Sequence, residues 1–244
     1  MQDDDDAEEK TDPASPRALH GKSLRTMSYA ATPATPGAYV DTSTPVPSAT
    51  IRALVAAGKL GVWRYVPLPR NSAVLDISAG ELSTLCGAGL AVGLVQHVRA
   101  GLWHPGSHDA HEDAMAAADH ATLCGYPAGA HLWLDLESIG GGGYETTVYA
   151  VGWQRAVIEA GYKAGLYVGF AVPLHPDDLY NLPGIDCYWS DAGHRVVATR
   201  GCAVQQGAEV VIGGVKFDED VVTADHLGGV PFMCSASSGT SDNA

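Results

Sequence analysis

Two pairs of carboxylates, Asp135 with Glu137 and Asp218 with Asp220, each leave a single residue between the acids. Carboxyl groups crowded into one enclosed place repel one another when ionised, which raises at least one pKa and keeps a proton available near neutral pH. Cleavage of a glycosidic bond uses that division of labour: a protonated carboxyl serves the leaving oxygen, and an ionised one acts as nucleophile, base or electrostatic partner. The spacing has this meaning only on a strand, where alternate side chains share a face.

The stretch HLWLDLE, residues 131–137, is short, apolar and bounded by Gly129 and Gly140, so it reads as a buried strand. Alternation puts Trp133, Asp135 and Glu137 on one face and Leu132, Leu134 and Leu136 on the other, where an apolar set calls for a helix layer. The four glycines that follow, 140–143, fit either close backbone approach to a ligand or moving lid, or a flexible connector.

From Gly37 onward, short apolar strands alternate with helical stretches, the signature of βα units and a parallel sheet. GAYVDTS, GVWRYVPL, LAVGLVQHV, AHLWLDLES and KAGLYVGF are the strands of five such units. Ser48 is expected to cap the first helix, with Gly58 ending it, and Asp109 with Glu112 fits a capping box at the start of the third. Then IDCYWSDA, CAVQQGAEVV and VKFDEDVV crowd into residues 185–222, too close for full crossover helices. The expected fold is therefore an α/β, TIM-like barrel of five βα units and three strands over residues 37–233. An open doubly wound sheet is the alternative, but no Gly-x-Gly-x-x-Gly follows the first strand. In such a barrel, acids at strand ends converge on one mouth. Asp41, Asp135, Glu137, Asp191, Asp218 and Asp220 are all so placed, and Tyr65 and Trp189 lie beside them as faces on which a sugar could stack.

Residues 1–36 are acidic and rich in Pro, Ala, Ser and Thr, so they are expected to form an arm that is disordered when free. Residues 234–244 are expected to be a flexible tail. The formal charge of −14 argues against a nucleic-acid partner. No apolar run approaches the length of a membrane span. The opening MQDDDDAEEK is acidic where a secretory leader would be basic and then apolar, so no signal peptide is expected and synthesis is placed in the cytoplasm. Five cysteines without a C-x-x-C pair indicate neither a zinc site nor a full disulfide framework, although Cys187 and Cys202 could pair if their strands are neighbours. His104, His108 and His111 match no strong metal pattern and read as a solvated loop entering a helix, so no metal and no cofactor is expected.

The ordered set RYV (64–66), ELSTLCGAGLAVGLVQ (81–96), GSHDAHEDAMAAADHATLCGYPAG (106–129) and VKFDEDV (215–221) resembles a bacterial and phage glycoside hydrolase-like family. That family is related to the muramidases of glycoside hydrolase family 25, and the likeness covers residues 37–227. The resemblance implies Glu137 as proton donor, Asp135 as its ionised companion, and a sugar site shaped by Asp41, Asp218 and Asp220 with Arg64, Tyr65 and Trp189. It points to Gln205 as the late glutamine, with Val204 where the lysozymes have Trp. It also implies cell-wall glycan as partner and leaves two functions open: a peptidoglycan glycosidase, or a non-catalytic component of a phage particle. In a phage setting residues 1–36 would dock on capsid or tail subunits, and the protein would belong to the virion or act at the outer face of the host envelope.

Overall fold

The computed structural model describes residues 27–71, 73–193 and 197–237. The central parallel strands are buried at nearly every position, one face in the barrel and the other under helices. Strand β1 (Tyr29–Pro33) precedes β2 (Gly37–Thr42), α1 (Ser48–Ala56), β3 (Gly61–Val66), α2 (Ala79–Gly87), β4 (Ala91–Gln96), α3 (Ala110–Cys124), β5 (His131–Leu136), α4 (Gly143–Glu159), β6 (Lys163–Val168), α5 (Pro176–Tyr180), β7 (Ile185–Ser190), β8 (Val204–Ile212), β9 (Val215–Val222) and β10 (Phe232–Ala236). Strands β2 to β8 pair in parallel in chain order. Antiparallel β9 bonds both β8 and β2, closing an eight-stranded barrel. The five βα units and three trailing strands expected from the sequence are all present.

Two apolar layers result. Leu132, Leu134 and Leu136 face outward with Val62, Leu94 and Leu166 into the helix layer, where Ala114, Ala117, Ala118 and Ala121 of α3 allow close approach. Tyr39, Trp63, Trp133, Trp189, Val204 and Val222 face inward and fill the barrel. Three indoles fit because glycines stand beside them: Gly93 is registered with Trp63, and Gly165 with Trp133. A Cβ on either glycine would collide with the indole ring.

The arm and tail boundaries differ from expectation. Residues 29–33 form β1, paired antiparallel with β10, which itself meets β4 at Cys234 and Val92. The expected tail thus begins inside a strand, and the expected arm ends in one. This ribbon seals the barrel floor: Ala34 and Met233 join the interior cluster with Trp133 and Trp189. The remainder of the arm, 1–26, and of the tail, 238–244, lies outside the described residues.

Local details also shift. Helix α1 is capped from Pro47, whose carbonyl accepts from Ile51, while Ser48 is already helical and offers no side-chain cap. At α3, Asp109 accepts from the His111 and Glu112 N–H groups, but Glu112 turns to Arg70 instead of reaching back, so the cap is one-sided. No disulfide joins Cys187 to Cys202. Cys187 points into the barrel and Cys202 packs against the outer layer, on opposite faces of the wall. Among the described residues no helix is long and apolar enough to cross a membrane, and no group of three His, Cys, Asp or Glu is arranged to hold a metal ion.

Candidate active site

Inward-facing positions at the upper ends of the strands bring together Asp41 of β2, Tyr65 of β3, Asp135 and Glu137 at the end of β5, Tyr167 of β6 and Gln206 of β8. Asp218 and Asp220 of β9 complete the group. Because β9 runs antiparallel, Asp218 lies at the mouth, level with Asp41, and Asp220 one layer deeper, level with Tyr39. Trp63, Trp133 and Trp189 form the packed floor beneath.

A hydrogen-bond chain crosses the mouth. The Tyr167 hydroxyl donates to Gln206 Oε1 at 2.9 Å, and Gln206 Nε2 donates to Asp41 Oδ2 at 3.0 Å. A cleft of about 250 Å³ opens beside it, lined by Asp41, Thr44, Tyr65, Glu209, Lys216 and Asp218. A larger groove, about 720 Å³, lies outside the barrel between the 105–111 loop and α4, and none of the strand-end acids lines it.

Burial grades the acids by depth. Asp135 and Asp220 are fully enclosed, and burial pushes both carboxyls well above the usual range, with neighbouring carboxylates adding to the rise: Glu137 and Asp41 for Asp135, and Asp41 for Asp220. Asp135 Oδ1 has no hydrogen-bond partner. Asp220 meets Asp41 and the Trp189 indole without a well-aligned bond. Asp41 is raised to about 7, chiefly by burial, against which the Gln206 hydrogen bond acts. Glu137, half-buried at the rim, is raised by burial and then by the charge of Asp191. Asp218 is raised by burial and Glu209, with Lys216 opposing. Every one of these carboxyls is thus raised by burial, and raised carboxyls gathered at one mouth suit proton transfer.

Backbone geometry fixes Glu137. Gly169 passes directly against it, and a Cβ there would strike the Glu137 side chain. The Ser138 N–H bonds Phe170 O at 2.9 Å, and the Trp103 indole donates to Glu137 O at 2.9 Å. The glycine run beyond is tightly packed: Gly140 N–H bonds Trp103 O, and Gly143 lies against Pro173 O where no side chain fits. These glycines serve close backbone contact within the protein.

Four sequence expectations need revision. Arg64 faces outward, fully buried under α2, where it pairs with Glu81 at 2.7 Å and donates to the Thr42 and Leu75 carbonyls, so it holds strand to helix and touches no cleft. Gln205 is exposed on the outer face, and Gln206, sharing the inward face with Val204, is the glutamine in the site. Trp189 is enclosed in the indole floor and presents no open face for stacking. Asp135, expected as the ionised companion, has its carboxyl pushed well above the usual range by burial, with Glu137 and Asp41 adding to the rise. Gln206 lies two residues beyond inward-facing Val204, and only the pairing of β8 with β7 and β9 sets that parity.

Comparison with known proteins follows the same lines. The Tat-secreted protein Rv2525c of Mycobacterium tuberculosis, solved with L-tartrate, superposes with a TM-score of 0.60 at 18% identity, covering 78% of this chain and 96% of that one. The catalytic domain of endolysin ply40 from bacteriophage P40 of Listeria monocytogenes gives 0.55 at 17%, covering 78% and 94%. A family 25 glycosyl hydrolase from Bacillus anthracis gives 0.50 at 13%, covering 76% and 88%. At these identities the likeness is one of fold. No curated protein matches the chain. A family model matches residues 52–207, more than half of the sequence and inclusive of Asp135, Glu137 and Gln206. The chain belongs to the Rv2525c-like, glycoside hydrolase-like domain family.

Proposed function

We propose that this domain hydrolyses glycosidic bonds in bacterial cell-wall glycan, with Glu137 as the proton donor. The observation that carries the reading is the placement of Glu137: half-buried at the rim of the barrel mouth, its pKa raised, and electrostatically linked to Tyr65, which lines the cleft with the hydrogen-bonded Asp41. As the bond to the leaving oxygen breaks, Glu137 delivers its proton there. Asp41, titrating near neutral pH and steadied by Gln206, supplies negative charge for the oxocarbenium-like centre. Tyr65 and Asp218 line the sugar side of the cleft. The named endolysin and family 25 relatives support the choice of cell-wall glycan.

The test is release of reducing ends from purified peptidoglycan, with binding followed in the same tubes. Wild type should release them, and Glu137→Gln should lose roughly 10²- to 10⁴-fold of the rate while still binding. Failure of wild type to release anything would remove the enzymatic reading.

A second reading keeps glycan binding without turnover, as a structural or host-attachment component of a phage particle. It is favoured by the burial of the acids around Glu137, which pushes the Asp135 carboxyl well above the usual range and that of Asp41 to about 7. Here the segment that precedes β1 would hold capsid or tail subunits and the barrel would face the host envelope. Binding without release, together with recovery of the chain from purified particles by mass spectrometry, is the expected result. Its absence from particles ends this placement.

A further inference from the structure

At the barrel floor, far along the chain from the carboxylates, two thiols meet. Cys86 in the last turn of α2 and Cys234 in β10 are both buried, and their Sγ atoms lie 3.7 Å apart across a sequence separation of 148 residues. Cys234 is also the point at which β10 is registered with β4, through Val92. Next to it, Met233 enters the barrel interior. A bond between these sulfurs would therefore fasten the floor ribbon to the α2–β4 unit at the place where the ribbon joins the barrel.

We propose that Cys86 and Cys234 form a disulfide when the protein folds or resides in an oxidising compartment. The two sulfurs, 3.7 Å apart, are already in van der Waals contact, and a disulfide would bring them to about 2.05 Å. A low-molecular-weight disulfide such as oxidised glutathione supplies the oxidising equivalents. Cys86 loses its proton and attacks one sulfur of that disulfide, forming a mixed disulfide and expelling one glutathione thiolate. Cys234 loses its proton and attacks Cys86 Sγ, forming the protein disulfide and expelling the second; both glutathione thiolates take up protons. Overall the two cysteines are oxidised and one glutathione disulfide is reduced to two thiols. Both thiols are enclosed, so reaction with glutathione proceeds through opening of the β1–β10 ribbon or before it docks.

The experiment uses the full chain, reduced and then equilibrated with oxidised glutathione, followed by denaturation, alkylation and peptide mapping. The expected result is one cross-linked peptide joining Cys86 to Cys234 and a melting temperature about 5–15 °C above that of the reduced protein. Cys86→Ser and Cys234→Ser, checked for folding by circular dichroism, should each abolish both changes. Cys187→Ala should leave both intact, and where a serine variant does not fold, the wild-type peptide map decides alone. Alkylation of Cys86 and Cys234 as separate thiols after equilibration, or a cross-link involving another cysteine, overturns the proposal.

Discussion

At the scale of single residues, the proposed chemistry depends on how the protein sets the proton affinity of Glu137. Its carboxyl is raised first by burial and second by Asp191, just beyond β7. Removing a nearby negative charge favours the ionised form, so Asp191→Asn lowers the Glu137 pKa. A general acid must be protonated to act, and a lower pKa empties it at lower pH. The alkaline limb of the pH–rate profile should therefore move toward acid in Asp191→Asn, with the rate on the acid side of the limb retained. An unmoved or alkaline-shifted limb would show that Glu137 does not set it. Gly169 belongs to this scale as well: the absence of a side chain there lets the β6 loop brace the carboxyl from behind.

At the scale of elements, each strand is a two-sided wall, and what a residue does follows from the side it faces. Arg64 illustrates the point. Its neighbours Trp63 and Tyr65 face the barrel, while the guanidinium lies outside, enclosed between β3 and α2 with Glu81. Truncation leaves a nearly buried carboxylate unpaired, so Arg64→Ala should cost about 3–5 kcal/mol in chemical denaturation. Because Arg64 touches no part of the cleft, the rate per folded molecule should stay at the wild-type value; a selective loss of activity would return it to the sugar site. The sides of β5 were legible in the sequence because its acids alternate with leucines, which fixes parity directly. On β8 the run VQQGAEV offers two adjacent glutamines, and which one faces in depends on pairing with β7 and β9, a long-range fact. Trp189 looked available because an aromatic at a strand end suits either a sugar or a core. Closure of the barrel, which brings Trp63 and Trp133 against it, made it core. The β1–β10 pairing joins segments some two hundred residues apart, and the Ala/Thr/Pro composition of β1 carries no local strand signal.

At the scale of the whole molecule, the enclosed acids make stability depend on pH in a definite direction. Asp41, Asp135 and Asp220 have folded-state pKa values raised above those of an unfolded chain, so the folded state holds more protons. Stability from such groups is complete below the unfolded carboxylate pKa of about 4 and is lost as pH rises through the folded values, for Asp41 about 7. Asp186 acts in the opposite sense: burial raises it, but His131 and Lys163 outweigh burial and bring it to about 2. Its contribution is present above about pH 4 and lost as pH falls toward 2. The melting temperature should therefore be highest near pH 4–5 and decline toward pH 8. Asp220→Asn removes one enclosed ionisation at nearly constant volume, so it should flatten that decline and raise the melting temperature at pH 8 more than at pH 5. Melting curves collected across this range for both proteins test the point. Equal shifts at the two pH values would mean that Asp220 is not a carboxyl kept neutral in the folded protein.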